Sequence, residues 1–162
     1  LSGRESEQEL KGLADDIWAY SGLGCRNVSL LFLPEGYWPE LTMPVIHPKY
    51  RNNYLQTRAL LTMQGHPFLD LGAAVAVEQR EFPAALSELS YSYYRTTDEV
   101  AAWLAAHDAE LQCVVTENLE HPRRVDFGQA QSPRLTDYPD ARDVLAWLAE
   151  ITPRHETANI KK

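Results

Sequence analysis

The strongest constraint on the fold is an alternation of short apolar runs with longer segments of helical periodicity. Apolar runs at residues 28–33, 71–77 and 111–116 have the length of buried strands. Segments of roughly a dozen residues, apolar at every third or fourth position, separate most of them. This order predicts an α/β domain in which helices cover the faces of a mostly parallel sheet.

The first two helices have clear boundary signals. Ser6 and Glu9 have the spacing of a capping box, which predicts a helix from about residue 5 to residue 20. Pro48 is suited to the first turn of a second helix, and Gly65 is suited to its end. The polar and apolar alternation over residues 89–94 predicts a strand between the second and third helices, with one face more exposed to water.

The later elements are predicted from similar signals. Thr96 and Glu99 have capping-box spacing, which predicts a third helix to about residue 109. A short strand is expected near Val125. Asp137 is predicted to cap a last helix over residues 138–151, whose inward-facing stripe consists of Ala141, Val144, Leu145 and Leu148.

Composition narrows the class of protein. The net charge is −8 and the basic residues are scattered, so neither a nucleic-acid surface nor an anionic membrane surface is expected. No apolar run approaches the roughly 18 residues that a membrane span requires. Two cysteines without a signal peptide favour a soluble protein of the reducing cytoplasm. We expect one domain over residues 1–151 and a flexible tail over residues 152–162, cut from a longer polypeptide.

Cys25 has the local sequence of a catalytic nucleophile. It lies in a glycine-containing turn between a predicted helix and a predicted strand, where a side chain projects and backbone N–H groups stay free. Arg26 is expected to favour the thiolate. A small apolar residue filling the turn is the alternative reading of Cys25. Cys113 lies in an apolar run and is expected to fill the core.

The other reactive residue types form no recognisable set. The five histidines lack the spacing of metal ligands, so no metal site is predicted. Gly22 and Gly24 precede a strand, whereas a dinucleotide-binding loop follows one. A polar loop at residues 126–131, called the polar loop below, either lines a pocket beside Cys25 or lies at the surface.

Several runs taken together point to one family. The most specific is GLGCRNVS at residues 22–29, and the others are LADDI at 13–17, PEGY at 34–37, HPKY at 47–50, NNY at 52–54, PFLD at 67–70 and FGQAQ at 127–131. With these runs the chain resembles bacterial fatty acyl-CoA reductases of the bioluminescence type, a branch of the aldehyde dehydrogenase superfamily. The Glu-x-Phe-Gly-Pro segment of aldehyde dehydrogenases has no counterpart here.

The resemblance implies an aldehyde dehydrogenase-like catalytic lobe in which Cys25 matches the acyl-accepting cysteine. The acyl donor would be a fatty acyl-CoA or an acyl-protein thioester, and the product an aldehyde. NADPH would be bound mainly by a lobe that this chain lacks, and a homo-oligomer is compatible with the resemblance. The residues expected around the acyl group are Gly24, Arg26, Asn27, Asn53, Tyr54, Phe127, Gly128 and Gln129.

Alternatives stay open at the level of sequence. Asn27, Asn53 and Tyr54 could equally make structural hydrogen bonds at helix ends or turns. A cysteine acyltransferase or thioesterase without a redox step would need no dinucleotide-binding loop. A non-catalytic α/β module, with Cys25 as filler, is the third alternative. The polar loop is expected to lie near Cys25, because ligand-binding loops converge at one edge of a mostly parallel sheet.

Overall fold

A four-stranded sheet forms the centre of the computed structural model, which describes residues 1–45, 47–139 and 142–151. Its strands are β1 (Leu30–Pro34), β2 (Leu69–Asp70), β3 (Val75–Glu78) and β4 (Glu88–Tyr94), in the order β1-β4-β3-β2. β4 runs parallel to both β1 and β3, and β2 is antiparallel to β3. The predicted α/β class with a mostly parallel sheet is confirmed.

Two short strands form a separate parallel pair. They are β5 (Val114–Val115) and β6 (Arg124–Val125), and β6 confirms the short strand expected near Val125. The predicted strands over residues 71–77 and 111–116 are both longer than those observed. Residues 71–74 instead form a turn closed by the bond from Leu71 N–H to the Ala74 carbonyl (2.9 Å). This turn joins β2 to β3, an antiparallel pairing that the apolar run did not predict.

Four helices and two 3₁₀ turns complete the described chain. The helices are α1 (Glu7–Trp18), α2 (Pro48–Gln64), α3 (Thr97–Ala106) and α4 (Val144–Ile151), and the 3₁₀ turns are Ala19–Gly22 and Asp108–Glu110. Ser6 and Glu9 form the predicted capping box at the start of α1. Gly65 ends α2 in the left-handed conformation (φ 66°), which a glycine adopts without steric cost. Both boundary predictions are confirmed.

The predicted start of α3 is confirmed, since Thr96 is its N-cap, but the predicted capping box does not form. The Thr96 side chain makes no capping hydrogen bond, and the Thr96 backbone carbonyl accepts from Glu99 N–H (3.2 Å). The helix also ends at Ala106 rather than at residue 109, because the chain tightens into the 3₁₀ turn that follows.

The prediction for the last helix is also wrong at its start and on its buried face. Asp143 provides the capping carboxylate, which accepts from Ala146 N–H (2.9 Å), whereas Asp137 binds the backbone and side chain of Arg134. The shortened helix buries none of its side chains. Three of the residues predicted to face inward are exposed: Val144 (43%), Leu145 (71%) and Leu148 (43%). The fourth, Ala141, lies outside the described residues.

β4 was expected to have one wetter face, and this too is wrong. Ser90 and Ser92 on that face are buried, as are Leu89 and Tyr91 on the other. Tyr94 on the same face packs against the apolar cluster that includes Val100 and Leu104 of α3, so this face is turned toward a helix and not toward water. The serine hydroxyls are hydrogen-bonded there by Gln79 and Arg80 (2.9 and 3.0 Å).

The main apolar core lies between α1 and the β1–β4 half of the sheet. Its most enclosed members include Leu13 and Ile17 of α1 and Leu31, Leu33 and Leu89 of the strands. A second cluster beneath α3 contains Val100, Leu104 and Leu111. Across the described ranges, no helix combines the length and apolarity needed to traverse a bilayer. The end of α1 and the start of β1 enclose the turn that carries Cys25.

Candidate active site

The Cys25 turn, residues 22–27, is held by the side chain of Asn27. Its Nδ2 donates to the carbonyl oxygens of the last residues of α1 and the residue after it: Asp16 (2.8 Å), Ile17 (3.1 Å) and Ala19 (3.1 Å). Its Oδ1 accepts from Gly24 N–H at 2.6 Å. Both ends of the Asn27 carboxamide are therefore hydrogen-bonded within the protein. This is the structural role that the sequence left open for Asn27, and it fixes the turn that carries Cys25.

The backbone leading into the turn is strained. Tyr20 and Ser21 both have left-handed dihedrals (φ 52° and 61°), and Gly22 follows at 69°. A left-handed non-glycine residue costs on the order of 1–2 kcal/mol, so other contacts must hold these residues in place. The Asn27 hydrogen bonds to the end of α1 are such contacts. Strain of this kind is concentrated at functional sites.

Gly24 allows two side chains to meet at the turn. A Cβ atom at this position would lie 2.7 Å from Asn27 Oδ1 and 3.1 Å from Gln131 Nε2. A larger residue would therefore displace the Asn27 carboxamide. Gly24 is needed for packing within the site, and this role is separate from any contact with substrate.

Cys25 lies at the rim of an apolar cavity of about 350 Å³, called the apolar cavity below. The thiol is exposed, and the cavity extends between β1 and α3, where Phe32, Trp103 and Leu104 form part of its wall. Its size falls within the range of roughly 300–1,000 Å³ typical of small-molecule sites. The geometry gives a solvent-accessible sulfur next to a space that suits an apolar chain.

Cys113, expected to fill the core, lines the same cavity and is only half-buried. Its thiol donates to the backbone carbonyl of Arg26, with a sulfur–oxygen distance of 3.5 Å. Burial raises the pKa of Cys113, and the nearby Arg26 guanidinium only partly opposes this effect. The two cysteines therefore share a cavity but differ in accessibility. Sequence reasoning missed this proximity.

Asp16 attaches the polar loop to α1. Its carboxylate is 1% exposed and accepts from Gly128 N–H (2.7 Å) and Ala130 N–H (2.9 Å). Burial raises the pKa of Asp16, while these two hydrogen bonds act in the opposite direction. Sequence reasoning did not select Asp16, although an acidic residue on the apolar face of a helix, three positions after Leu13, is a detectable signal.

Two further contacts hold the polar loop, one to the Cys25 turn and one to α1. Arg26 Nε donates to the Ala130 carbonyl at 2.6 Å. Gly128 (φ 79°) lies so close to Gly12 of α1 that a Cβ on Gly12 would come within 2.9 Å of loop backbone. The loop and the turn, about a hundred residues apart in sequence, are thus in contact.

The side chains of the polar loop have different surroundings. Phe127 packs against the main core and lines a separate cavity of about 50 Å³, not the apolar cavity. Gln129 is exposed. Gln131 has a buried Nε2 without a hydrogen-bond partner, close to Gly24. An unpaired buried N–H group is costly and calls for a functional explanation.

Asn53 and Tyr54 are not brought together with Cys25. Both lie on α2, and the Tyr54 hydroxyl donates to Asp70 of β2 at 2.6 Å. Asp70 also pairs with Arg58 at 2.9 Å. Because β2 and β1 form opposite edges of the sheet, this network is separate from the Cys25 turn. Tyr54 therefore makes a structural hydrogen bond, which was the alternative to a place around the acyl group.

Within the described ranges, no group of three or more His, Cys, Asp or Glu side chains is arranged to hold a metal ion. The geometry instead combines one exposed thiol, a structured turn and an apolar cavity. Comparisons of the chain with protein-family models, curated proteins and solved structures give no match.

Proposed function

We propose that this chain is the catalytic lobe of an acyl-CoA reductase, in which Cys25 accepts the acyl group of a fatty acyl thioester. The observation that carries the proposal is the exposed Cys25 thiol at the rim of the apolar cavity of about 350 Å³. A fatty acyl chain gains about 0.8 kcal/mol for each methylene it buries, so such a cavity favours a long donor. The resemblance to the reductase family agrees with this chemistry.

The acyl transfer needs only the Cys25 thiol and the acyl thioester as reactants. The Cys25 sulfur attacks the thioester carbonyl, a new carbon–sulfur bond forms, and the bond to the CoA sulfur breaks. The proton of the Cys25 thiol ends on the released CoA thiol. The backbone N–H of Cys25 makes no hydrogen bond within the described part of the chain, so it is free to stabilise the oxyanion.

Among the described residues, no strand leads through a glycine-rich turn into a helix, the arrangement typical of a dinucleotide site. Gly22 and Gly24 precede β1, and β1 is followed by an irregular, proline-containing segment rather than by a glycine-rich turn into a helix. NADPH would therefore be held by a lobe outside these 162 residues, as in the aldehyde dehydrogenase-like arrangement that we propose. When bound there, it would supply the hydride that converts the acyl group into an aldehyde.

Acylation of this chain tests the proposal directly. After incubation with a fatty acyl-CoA, intact mass spectrometry should show the addition of one acyl group, and peptide mapping should assign it to Cys25. Cys25→Ser should lose the adduct, whereas the matched variant Cys113→Ser should keep it. No adduct, or an adduct mainly on Cys113, would reject the proposal and favour a non-catalytic module.

A second measurement separates reductase from acyltransferase or thioesterase. With the whole polypeptide to which this lobe belongs, the acylated enzyme should release aldehyde only when NADPH is added. Release of free acid, or transfer to another thiol or hydroxyl without NADPH, would assign Cys25 to an enzyme that lacks a redox step.

A further inference from the structure

Four arginines line a second cavity that adjoins the Cys25 site. This arginine cavity has a volume of about 250 Å³, and the guanidinium-bearing residues in its wall are Arg26, Arg123, Arg124 and Arg134. It shares two wall residues, Arg26 and Gln112, with the apolar cavity. The two cavities are therefore adjacent at Arg26 and Gln112.

The charge of this cavity contrasts with that of the chain. The chain has a net charge of −8, yet the described wall of the cavity contains four arginines and one carboxylate, that of Asp137, which pairs with Arg134 at 3.1 Å. Asp108 and Asp126 lie outside the wall and pair with Arg123 and Arg124. Counting these as well, four positive and three negative charges leave an excess of one positive charge.

The arginines are held in defined orientations. Asp108 binds Arg123 through two hydrogen bonds of 2.9 and 3.1 Å. The carbonyl oxygen of Thr116 accepts from Arg124 Nε at 2.9 Å. Arg26 donates to the carbonyl oxygens of Ala130 (2.6 Å) and Gln112 (3.4 Å), and no carboxylate among the described residues forms an ion pair with it. Oriented guanidinium groups are the preferred protein ligands of phosphate.

We propose that the arginine cavity binds the phosphate groups of the CoA portion of the acyl donor. The inference rests on the proposed function, since it assigns the other end of the same substrate. The thioester lies at Cys25, the acyl chain enters the apolar cavity, and the pantetheine arm passes Arg26 toward Arg124 and Arg134. The cavity thereby favours an acyl donor that carries phosphate beyond its thioester arm, as an acyl-CoA does, over an uncharged thioester or a simple acyl ester.

Two donors and one double variant test the assignment. The rate of Cys25 acylation is measured by intact mass with a fatty acyl-CoA and with the N-acetylcysteamine thioester of the same fatty acid, which has no phosphate. Arg124→Gln combined with Arg134→Gln should slow the acyl-CoA reaction about tenfold or more and leave the phosphate-free donor unchanged. Arg95→Gln is the matched control, because Arg95 pairs with Glu35 (2.9 Å) and lines neither cavity.

Equal slowing with both donors, or no slowing with either, would overturn the assignment. If wild-type protein is acylated by neither donor, the proposed function fails, and calorimetry with adenosine 3′,5′-bisphosphate then tests the cavity by itself. Binding of that nucleotide that is lost in the double variant supports the cavity as a phosphate site. Equal affinity for inorganic phosphate or for NADPH would overturn its assignment to CoA.

Discussion

Replacing Asp16 with Asn tests the contact that joins the polar loop to α1. The wild-type carboxylate accepts from the N–H groups of Gly128 and Ala130. An Asn side chain keeps one acceptor and turns an NH₂ donor toward the other N–H group. One of these enclosed N–H groups therefore loses its acceptor, and an unpaired buried donor costs about 1–3 kcal/mol. We expect a loss of about 2 kcal/mol in the free energy of unfolding.

Thermal unfolding measures this loss. For a chain of this length, 1 kcal/mol corresponds to about 2–4 °C, so Asp16→Asn should lower Tm by about 4–8 °C. The control is Asp15→Asn, which removes the same charge from an exposed position next to it. That control should change the stability by no more than about 0.5 kcal/mol.

The effect of this substitution on stability should depend on pH. Burial raises the pKa of Asp16 above 3.8, so the folded protein holds this proton more tightly than the unfolded chain. The resulting contribution to stability is complete below the unfolded pKa and is lost as the pH rises through the raised pKa. Asn cannot ionise, so the stability of Asp16→Asn lacks this pH dependence. Urea unfolding should therefore show that the difference in unfolding free energy between wild type and Asp16→Asn becomes smaller as the pH rises from the unfolded pKa through the folded pKa of Asp16.

Two results would refute this reasoning. An unchanged or higher Tm for Asp16→Asn, relative to Asp15→Asn, would mean that the carboxylate does not hold the loop. A stability gap that widens as the pH rises would mean that the hydrogen bonds to the carboxylate outweigh its burial.

Three further outcomes follow from the same geometry. Because burial raises the pKa of Cys113, iodoacetamide should label Cys25 first at pH 7, as peptide mapping can show; faster labelling of Cys113 would contradict this. Ser21→Gly should raise the urea midpoint, since glycine removes a left-handed penalty of about 1 kcal/mol; a lower midpoint would argue against that backbone. The acylation efficiency of Cys25 should rise about fourfold per methylene of the donor until the apolar cavity is filled. Val115→Phe, which narrows the cavity, should shift this limit to shorter chains. An acylation rate that is independent of chain length would exclude the cavity as the acyl site.

Local signals predicted the elements whose boundaries depend on a few adjacent residues. The capping box of Ser6 and Glu9 and the glycine at position 65 both act within one helical turn, so sequence was sufficient. The spacing of Thr96 and Glu99 correctly predicted where α3 begins, but it did not produce the side-chain bonds of a capping box, because the Thr96 carbonyl accepts from Glu99 N–H. Several side-chain and backbone groups compete for the first N–H groups of a helix, and spacing alone does not rank them.

Burial was less predictable because it depends on neighbours that are distant in sequence. The alternation in β4 indicated an exposed face, but β1 and β3 flank the strand on both sides and its serines are enclosed. The apolar residues of α4 indicated a core face, and the described structure leaves them exposed. For the site, the turn context selected Cys25 as the candidate, whereas Asn53 and Tyr54 were grouped with it on the resemblance, although Tyr54 of α2 bonds to β2 at the opposite edge of the sheet.

The last turn of α1 links these observations. Its carbonyl oxygens accept from the Asn27 carboxamide, which shapes the Cys25 turn, and its Asp16 carboxylate binds the backbone of the polar loop. One helix end therefore sets the position of Cys25 and of the segment that holds Arg26 through the Ala130 carbonyl. A substitution there should alter the reactivity of the Cys25 thiol without changing any residue of the turn itself, since both supports of the turn would move together.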